Sequence, residues 1–143
     1  MPEILHDLPI RAPADRVWAG FTTPAGLDAW WTARSEGRPG VGSEYRLFFE
    51  PDYDWRAVVT VAEPLAAFEL RLTRADADWN DTRVGTHLEA RSDVTWVRFY
   101  HADWQEANEH YRISSCCWAM YLRILRRWLE HGERVPYAQR LEA

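Results

Sequence analysis

Residues 105–131, QEANEHYRISSCCWAMYLRILRRWLEH, run without a Pro or Gly and place an apolar side chain at nearly every helical interval. This stretch predicts the one long helix of the chain. Tyr111, Trp118, Leu122, Leu125 and Leu129 recur with the period of a 3.6-residue turn, Ser115 lies in the same stripe, and Arg112, Arg123, Arg127 and Glu130 hold the opposite face. Gly132 and Pro136 mark where the helix must stop. The apolar arc is wider than a single sheet requires, because Ile113, Cys117, Tyr121, Ile124 and Trp128 extend it on one side. Two neighbours are therefore expected. The main stripe covers a sheet, and the flank meets either the short N-terminal helices or a second copy of the chain.

A partner sheet is written in the preceding residues. Ile4, His6, Leu8 and Ile10 alternate as a first strand, with Pro9 suited to an edge or bulge. In APADRVWAGF, Pro13 and Asp15 open a short helix burying Val17, Trp18 and Phe21. Thr23 before Pro24 opens a second one over residues 24–31, carrying Leu27, Trp30 and Trp31. Residues 35–42, SEGRPGVG, read as a loop.

Strands follow over residues 43–50, 55–63 and 68–73. A four-residue PLAA turn pairs Val61 with Leu70 and Val59 with Leu72 on the apolar side, and Thr60 with Arg71 and Ala62 with Glu69 on the other. In the last hairpin a two-residue turn at Ser92-Asp93 pairs Ala90 with Thr95, Leu88 with Val97, Thr86 with Phe99 and Val84 with His101. The opposite face then holds Glu89 with Trp96, His87 with Arg98, and Tyr100 over Gly85. This register sends His101 inward and His87 outward. The expected architecture is α+β: a curved antiparallel sheet of about six strands wrapped around a long C-terminal helix, with two short helices after the first strand. At 143 residues the chain is expected to be one domain, residues 1–143.

Composition narrows the function. The formal net charge is -5 with both signs interspersed, which argues against nucleic acid as a partner. All 17 basic residues are Arg, so Schiff-base chemistry and a lysine base are excluded. Nine residues are Trp, which either a Trp-rich core or an aromatic-lined cavity would use. Cys116 and Cys117 are adjacent in a helix and form no disulfide framework. With no signal segment and no membrane span, a soluble cytoplasmic protein is expected.

Candidate chemistry is sparse. Asp76, Asp78 and Asn80 have the opening spacing of a calcium loop, but Asp81 replaces the required Gly and His87 the required Glu. No zinc spacing, phosphate loop or dinucleotide fingerprint occurs, so no metal or cofactor is expected. Ser114 and Ser115 lack a nucleophile elbow, and no catalytic set is assigned. His6 and His101 are expected at one polar end of a cavity, as ligand-orienting groups or as an acid-base pair.

The runs APADRVWAGFTTPAGLDAWW, GTHLEARSDVTWVRFYHADW and CWAMYLRILRRWLEHGERVPY resemble the bacterial relatives of the activator of the ninety-kilodalton heat-shock chaperone ATPase. That family lies within the START and birch-pollen-allergen superfamily, SRPBCC. The resemblance covers nearly the whole chain and implies a helix-grip fold with an apolar cavity between sheet and last helix. It implies Trp18, Trp30 and Trp31 as helix-to-sheet packing and His101 and Trp104 as the strand-to-helix corner. Trp118, Leu122 and Leu125 become the cavity roof.

Joined with the inward positions of the strands, this gives a candidate lining of Trp55, Val59, Val61, Leu70, Leu72 and Leu88 on the earlier strands. Val97, Phe99 and His101 come from the last strand, and Tyr111, Trp118 and Leu122 from the helix. The expected function is binding of a small hydrophobic, lipid-like or polyketide-like molecule as carrier or sensor. The alternatives are a cyclase- or hydratase-like enzyme on such a ligand, and a chaperone-related or homodimeric module using Ile113, Cys117, Ile124 and Trp128.

Overall fold

A computed structural model describes residues 1–142. Strand β1 (Ile4–Ile10) leads into helices α1 (Ala14–Thr22) and α2 (Pro24–Trp30). Strands β2 (Arg34–Glu36), β3 (Glu44–Phe49), β4 (Tyr53–Glu63), β5 (Ala67–Arg74), β6 (Arg83–Arg91) and β7 (Val94–Ala102) follow, then α3 (Glu109–His131) and a 3-10 turn (Tyr137–Glu142). The sheet order is β1-β7-β6-β5-β4-β3-β2, and each adjacent pair is antiparallel. The two short helices thus carry the chain from one sheet edge to the other. This is the helix-grip arrangement, with seven strands where about six were expected. The extra strand is β2: Ser35, expected in a loop, pairs with Leu47 at the edge.

Local chemistry sets the element ends. Thr23 serves both short helices, its hydroxyl donating to the Ala19 carbonyl (2.7 Å) and accepting from the Gly26 N–H (3.0 Å). The long helix begins at Glu109, later than the apolar pattern suggested, because the Asn108 side chain caps the Tyr111 N–H at 2.9 Å. It ends on Gly132 in the left-handed conformation (φ 69°). Beyond it, Arg140 is 5 % exposed and donates to the carbonyls of Asp28 (2.5 Å), Thr32 (3.1 Å) and Val135 (3.2 Å). That side chain staples the 3-10 turn to the end of α2.

The last hairpin has the expected register throughout, with Val84 opposite His101 and Gly85 opposite Tyr100. The β4–β5 pair does not. Its loop has three residues, Pro64, Leu65 and Ala66, with Leu65 at φ 65°, and Thr60 bulges, so Val59 pairs with Leu70 and Val61 with Glu69. Val61 therefore lies on the outer face instead of the cavity side. The reason is a buried carboxylate. Glu69, 5 % exposed, accepts from Thr60 Oγ1 (2.6 Å), Arg83 Nη1 (3.1 Å) and the Tyr100 hydroxyl, and the bulge delivers Thr60 to it.

The two short helices meet at backbone contact. A Cβ on Gly26 would lie 2.3 Å from the Ala19 carbonyl oxygen and 2.7 Å from Gly20 Cα, whereas one on Gly20 would meet a Leu125 methyl at 3.0 Å. Gly26→Ala is expected to cost about 3 kcal/mol or more in urea unfolding, and Gly20→Ala about 1 kcal/mol, since only a side chain must move there.

Candidate ligand groove

The interior between sheet and helix is filled. Trp118, 1 % exposed, sits among Phe99 (4.6 Å between ring centroids), Trp31 (5.1 Å), Trp79 (5.5 Å) and Trp30 (6.3 Å). The void left beside α2, lined by Phe21, Trp30, Phe68, Leu70, Val84 and Phe99, is about 20 Å³, room for no more than a water molecule. Val59, Leu70, Leu72, Leu88, Val97, Phe99 and Leu122 are thus packed core. The deep central cavity expected from the fold is replaced by an aromatic plug.

The space that remains is a groove of about 360 Å³ at one end of the plug. Trp31 and Trp118 form its buried floor. One wall is Phe49, Tyr53 and Trp55, from the ends of β3 and β4, and the other is Ile113, Ser114, Cys117 and Tyr121 of α3. Asp76 and Trp79 of the β5–β6 loop, His110, Glu50 and Tyr137 complete the rim. A depression of about 660 Å³ on the outer sheet face mixes Leu5, Val61 and Tyr100 with Asp7, Arg83 and Arg98, and one of about 800 Å³ beside the end of α3 is walled mainly by Arg and carboxylate side chains. The groove has the more aromatic lining with few charged groups, the usual character of a small-molecule site.

Of the residues expected to line a cavity, Trp55 and Trp118 reach this groove. Tyr111 is packed edge-on to Trp104 (5.4 Å), and its hydroxyl donates to the Glu3 carbonyl (2.8 Å). The expected polar end is divided: His6 bonds the Ser115 carbonyl at 3.0 Å through Nε2, while His101 holds different partners. The flank expected to meet a second copy is also divided. Ile113 is 53 % exposed, but Ile124 is 1 % exposed in the single chain, and Cys117 and Trp128 are half-buried.

His101 lies beneath the groove at 0 % exposure. The Trp118 indole N–H donates to its Nδ1 (3.1 Å), so Nε2 carries the proton and donates to Thr82 Oγ1 (2.8 Å), which donates in turn to the Trp79 carbonyl (2.6 Å). Burial, and then the proximity of His110, pulls its pKa down to about 3. Both ring nitrogens are occupied and the ring is neutral. On the groove wall burial raises the Cys117 thiol, followed by the effect of Cys116, and pushes Tyr121 up to about 12, so both stay protonated.

The β5–β6 loop supplies a wall residue that strand patterns do not reveal. Asp76 Oδ1 accepts the Trp79 N–H (3.0 Å), Asn80 Oδ1 accepts the Ala75 N–H (2.7 Å), and the Trp79 indole N–H reaches Ser114 Oγ at 3.3 Å. The acidic spacing is therefore turn chemistry that seats an indole. A tryptophan within a polar loop was the available signal. Among the described residues no group of three His, Cys, Asp or Glu side chains is arranged to hold a metal ion. No helix among them is long and apolar enough to cross a membrane.

Comparison with known proteins places this architecture. A solution structure of the Aha1 dimer from Colwellia psychrerythraea is similar over 93 % of this chain and 99 % of that one, with 28 % identity and a TM-score of 0.84. A Mesorhizobium loti protein is similar over 92 % and 99 %, with 16 % identity and a TM-score of 0.81. DynU16, described as a putative protein in the dynemicin biosynthetic locus, is similar over 94 % of this chain and 50 % of its own, with 19 % identity and a TM-score of 0.81. No curated protein matches. The family model described as Activator of Hsp90 ATPase homolog 1-like protein matches residues 11–130, and the chain belongs to that family, within the SRPBCC superfamily.

Proposed function

We propose that the chain binds a small, compact, largely apolar molecule in the groove between the sheet end and α3, as a carrier or sensor. The observation that carries this reading is the groove itself, an aromatic-walled space of about 360 Å³ with Ser114, His110 and Tyr137 as polar contacts. That volume lies at the small end of the range for ligand sites and suits a ring system better than a two-chain lipid. The family's ligand-binding fold adds support, as does the biosynthetic locus named for the DynU16 neighbour. A second copy of the chain is a further proposed partner, supported by the dimeric Colwellia relative, with Ile113 the open part of the expected flank. Two free thiols, Cys116 exposed, suit a reducing cytoplasmic setting.

Acid-base chemistry on the ligand has less support. His101 would have to gain or lose a proton near neutral pH, yet both of its nitrogens are bonded and its pKa is about 3. Nothing in the groove orients a thiol or hydroxyl as a nucleophile.

Binding is tested by titrating 1-naphthalenemethanol, a neutral ring of suitable size, and following the tryptophan indole N–H resonances. We expect shifts at Trp55, Trp79 and Trp118, with affinity at least tenfold weaker in Cys117→Trp, whose new ring fills the wall. Absence of binding, or equal binding by that variant, removes the groove as the site. The neutral state of His101 has its own test. A folded pKa of about 3 against the ordinary 6.5 means the unfolded chain takes up a proton that the folded chain refuses. The associated stability is complete above pH 6.5 and is lost as pH falls toward 3, at about 1.4 kcal/mol per pH unit. Between pH 7 and pH 5 the wild type should lose about 2 kcal/mol more in urea unfolding than His101→Gln. Equal losses would show that native His101 accepts a proton near neutrality, and would return the acid-base reading.

A further inference from the structure

We infer that the groove selects ligands carrying a positive charge, an amine or quaternary ammonium attached to an apolar ring, over their neutral and anionic counterparts. This rests on the reading of the groove as the ligand site. The first observation is the distribution of arginine. None of the 17 arginines lines the groove, whereas nine carboxylates elsewhere among the described residues pair with arginine. Asp54 pairs with Arg46 (3.2 Å) and Arg56 (3.3 Å), Asp103 with Arg83 (2.6 Å), Asp7 with Arg98 (2.9 Å) and Glu133 with Arg127 (2.7 Å).

At the groove mouth no arginine among the described residues pairs with the carboxylates present. Among the described residues Glu50 makes no ion pair, and Asp76 and Asp78 share a single base, His110, at 3.8 Å and 2.8 Å. Glu50 and Asp76 line the groove and Asp78 stands behind His110, so carboxylates outnumber the one imidazole there whether or not that ring is protonated. The carboxylates are accessible to a ligand: the Asp76 side chain is 42 % exposed.

The second observation is the wall. Trp55, Tyr53, Phe49 and Tyr121 surround the space with Tyr137, one face of which already meets the Arg140 guanidinium at 5.3 Å, and aromatic faces carry negative quadrupole potential that attracts a cation within about 6 Å of the ring. Quadrupole and carboxylates act in the same direction. An anionic ligand would lose its hydration without meeting an arginine and with carboxylates beside it, which is a repulsive element against fatty acids and other carboxylates. A neutral ring would gain the apolar contact alone.

The test compares three probes with one ring system: 1-naphthalenemethylammonium, 1-naphthalenemethanol and 1-naphthaleneacetate, by isothermal titration at low salt. The expected order is cation, neutral, anion, with the cation at least tenfold tighter than the alcohol and its advantage shrinking in 0.5 M NaCl. Glu50→Gln combined with Asp76→Asn, which keeps an acceptor for the Trp79 N–H, should reduce that ratio below threefold. A well-dispersed amide spectrum checks that the variant is folded. Equal affinities for the three probes, or an anion bound most tightly, would overturn the inference and leave the groove reading standing. A ratio unchanged in the double variant would overturn the role of the carboxylates. Failure of all three probes to bind would overturn the groove reading instead.

Discussion

The hydrogen bond from the Trp118 indole to His101 Nδ1 joins the long helix to the last strand at the point on which the interior depends. It fixes the imidazole tautomer, so that Nε2 donates to Thr82, and Thr82 in turn holds the Trp79 carbonyl. Each polar atom in this chain is buried and each has a partner, the condition under which such a network is tolerated in a core. Removing any member would strand another in an apolar surround, at about 1–3 kcal/mol for the orphaned group. The network also decides which rings stack. With its backbone held by Thr82 and its indole by Ser114, Trp79 lies parallel to Trp118, 24° between planes. Together they close the centre of the fold.

That closure changes what a helix-grip fold can hold. The sheet curves around α3 and leaves a space that small side chains would keep open. Here Trp30, Trp31, Trp118 and Phe99 occupy it, each 3 % exposed or less, and leave a void of about 20 Å³. The open space is displaced from the centre to the end of the sheet, where β3 and β4 meet and the C-terminal turn arrives. The floor of the groove is the plug's outer surface. The groove's shape is therefore inherited from core packing, and a substitution that disturbs Trp118 acts on stability and on the site together.

The parts of this arrangement that were legible in the sequence are those with a local period. The stripe of α3 and the β6–β7 register were readable because each repeats at 3.6 or 2.0 residues, and the Thr23-Pro24 helix start because a capping hydroxyl before a proline is itself a local signal. The β4–β5 register was not. Its bulge at Thr60 answers to Glu69, whose partners Arg83 and Tyr100 lie on other strands, and a period-2 pattern contains no trace of them. The short edge strand β2 is likewise made by its pairing to β3 and not by its own residues. The candidate site was the least legible part. Trp55 and Trp118 were identifiable as inward aromatics, but the plug's volume, which turns Val59, Leu72 and Val97 into core, is a sum over the whole fold. Most of the wall comes from a loop, a helix flank and a terminal turn.

The C-terminal turn shows how a distant contact completes that wall. Arg140 is buried without a carboxylate partner, and its guanidinium is satisfied by carbonyls near the C-terminal end of α2, where the helix dipole is negative. Burial lowers its pKa, but a guanidinium titrates so far above neutrality that the charge persists. The same turn carries Tyr137 to the groove, where its hydroxyl accepts the Glu50 N–H at 3.2 Å. Arg140, whose guanidinium lies 5.3 Å from the Tyr137 ring centroid, thus helps hold the ring that meets the Glu50 backbone at the mouth. The aromatic ring that the C-terminal turn brings to the mouth is thus anchored through Arg140, a residue that does not itself line the groove.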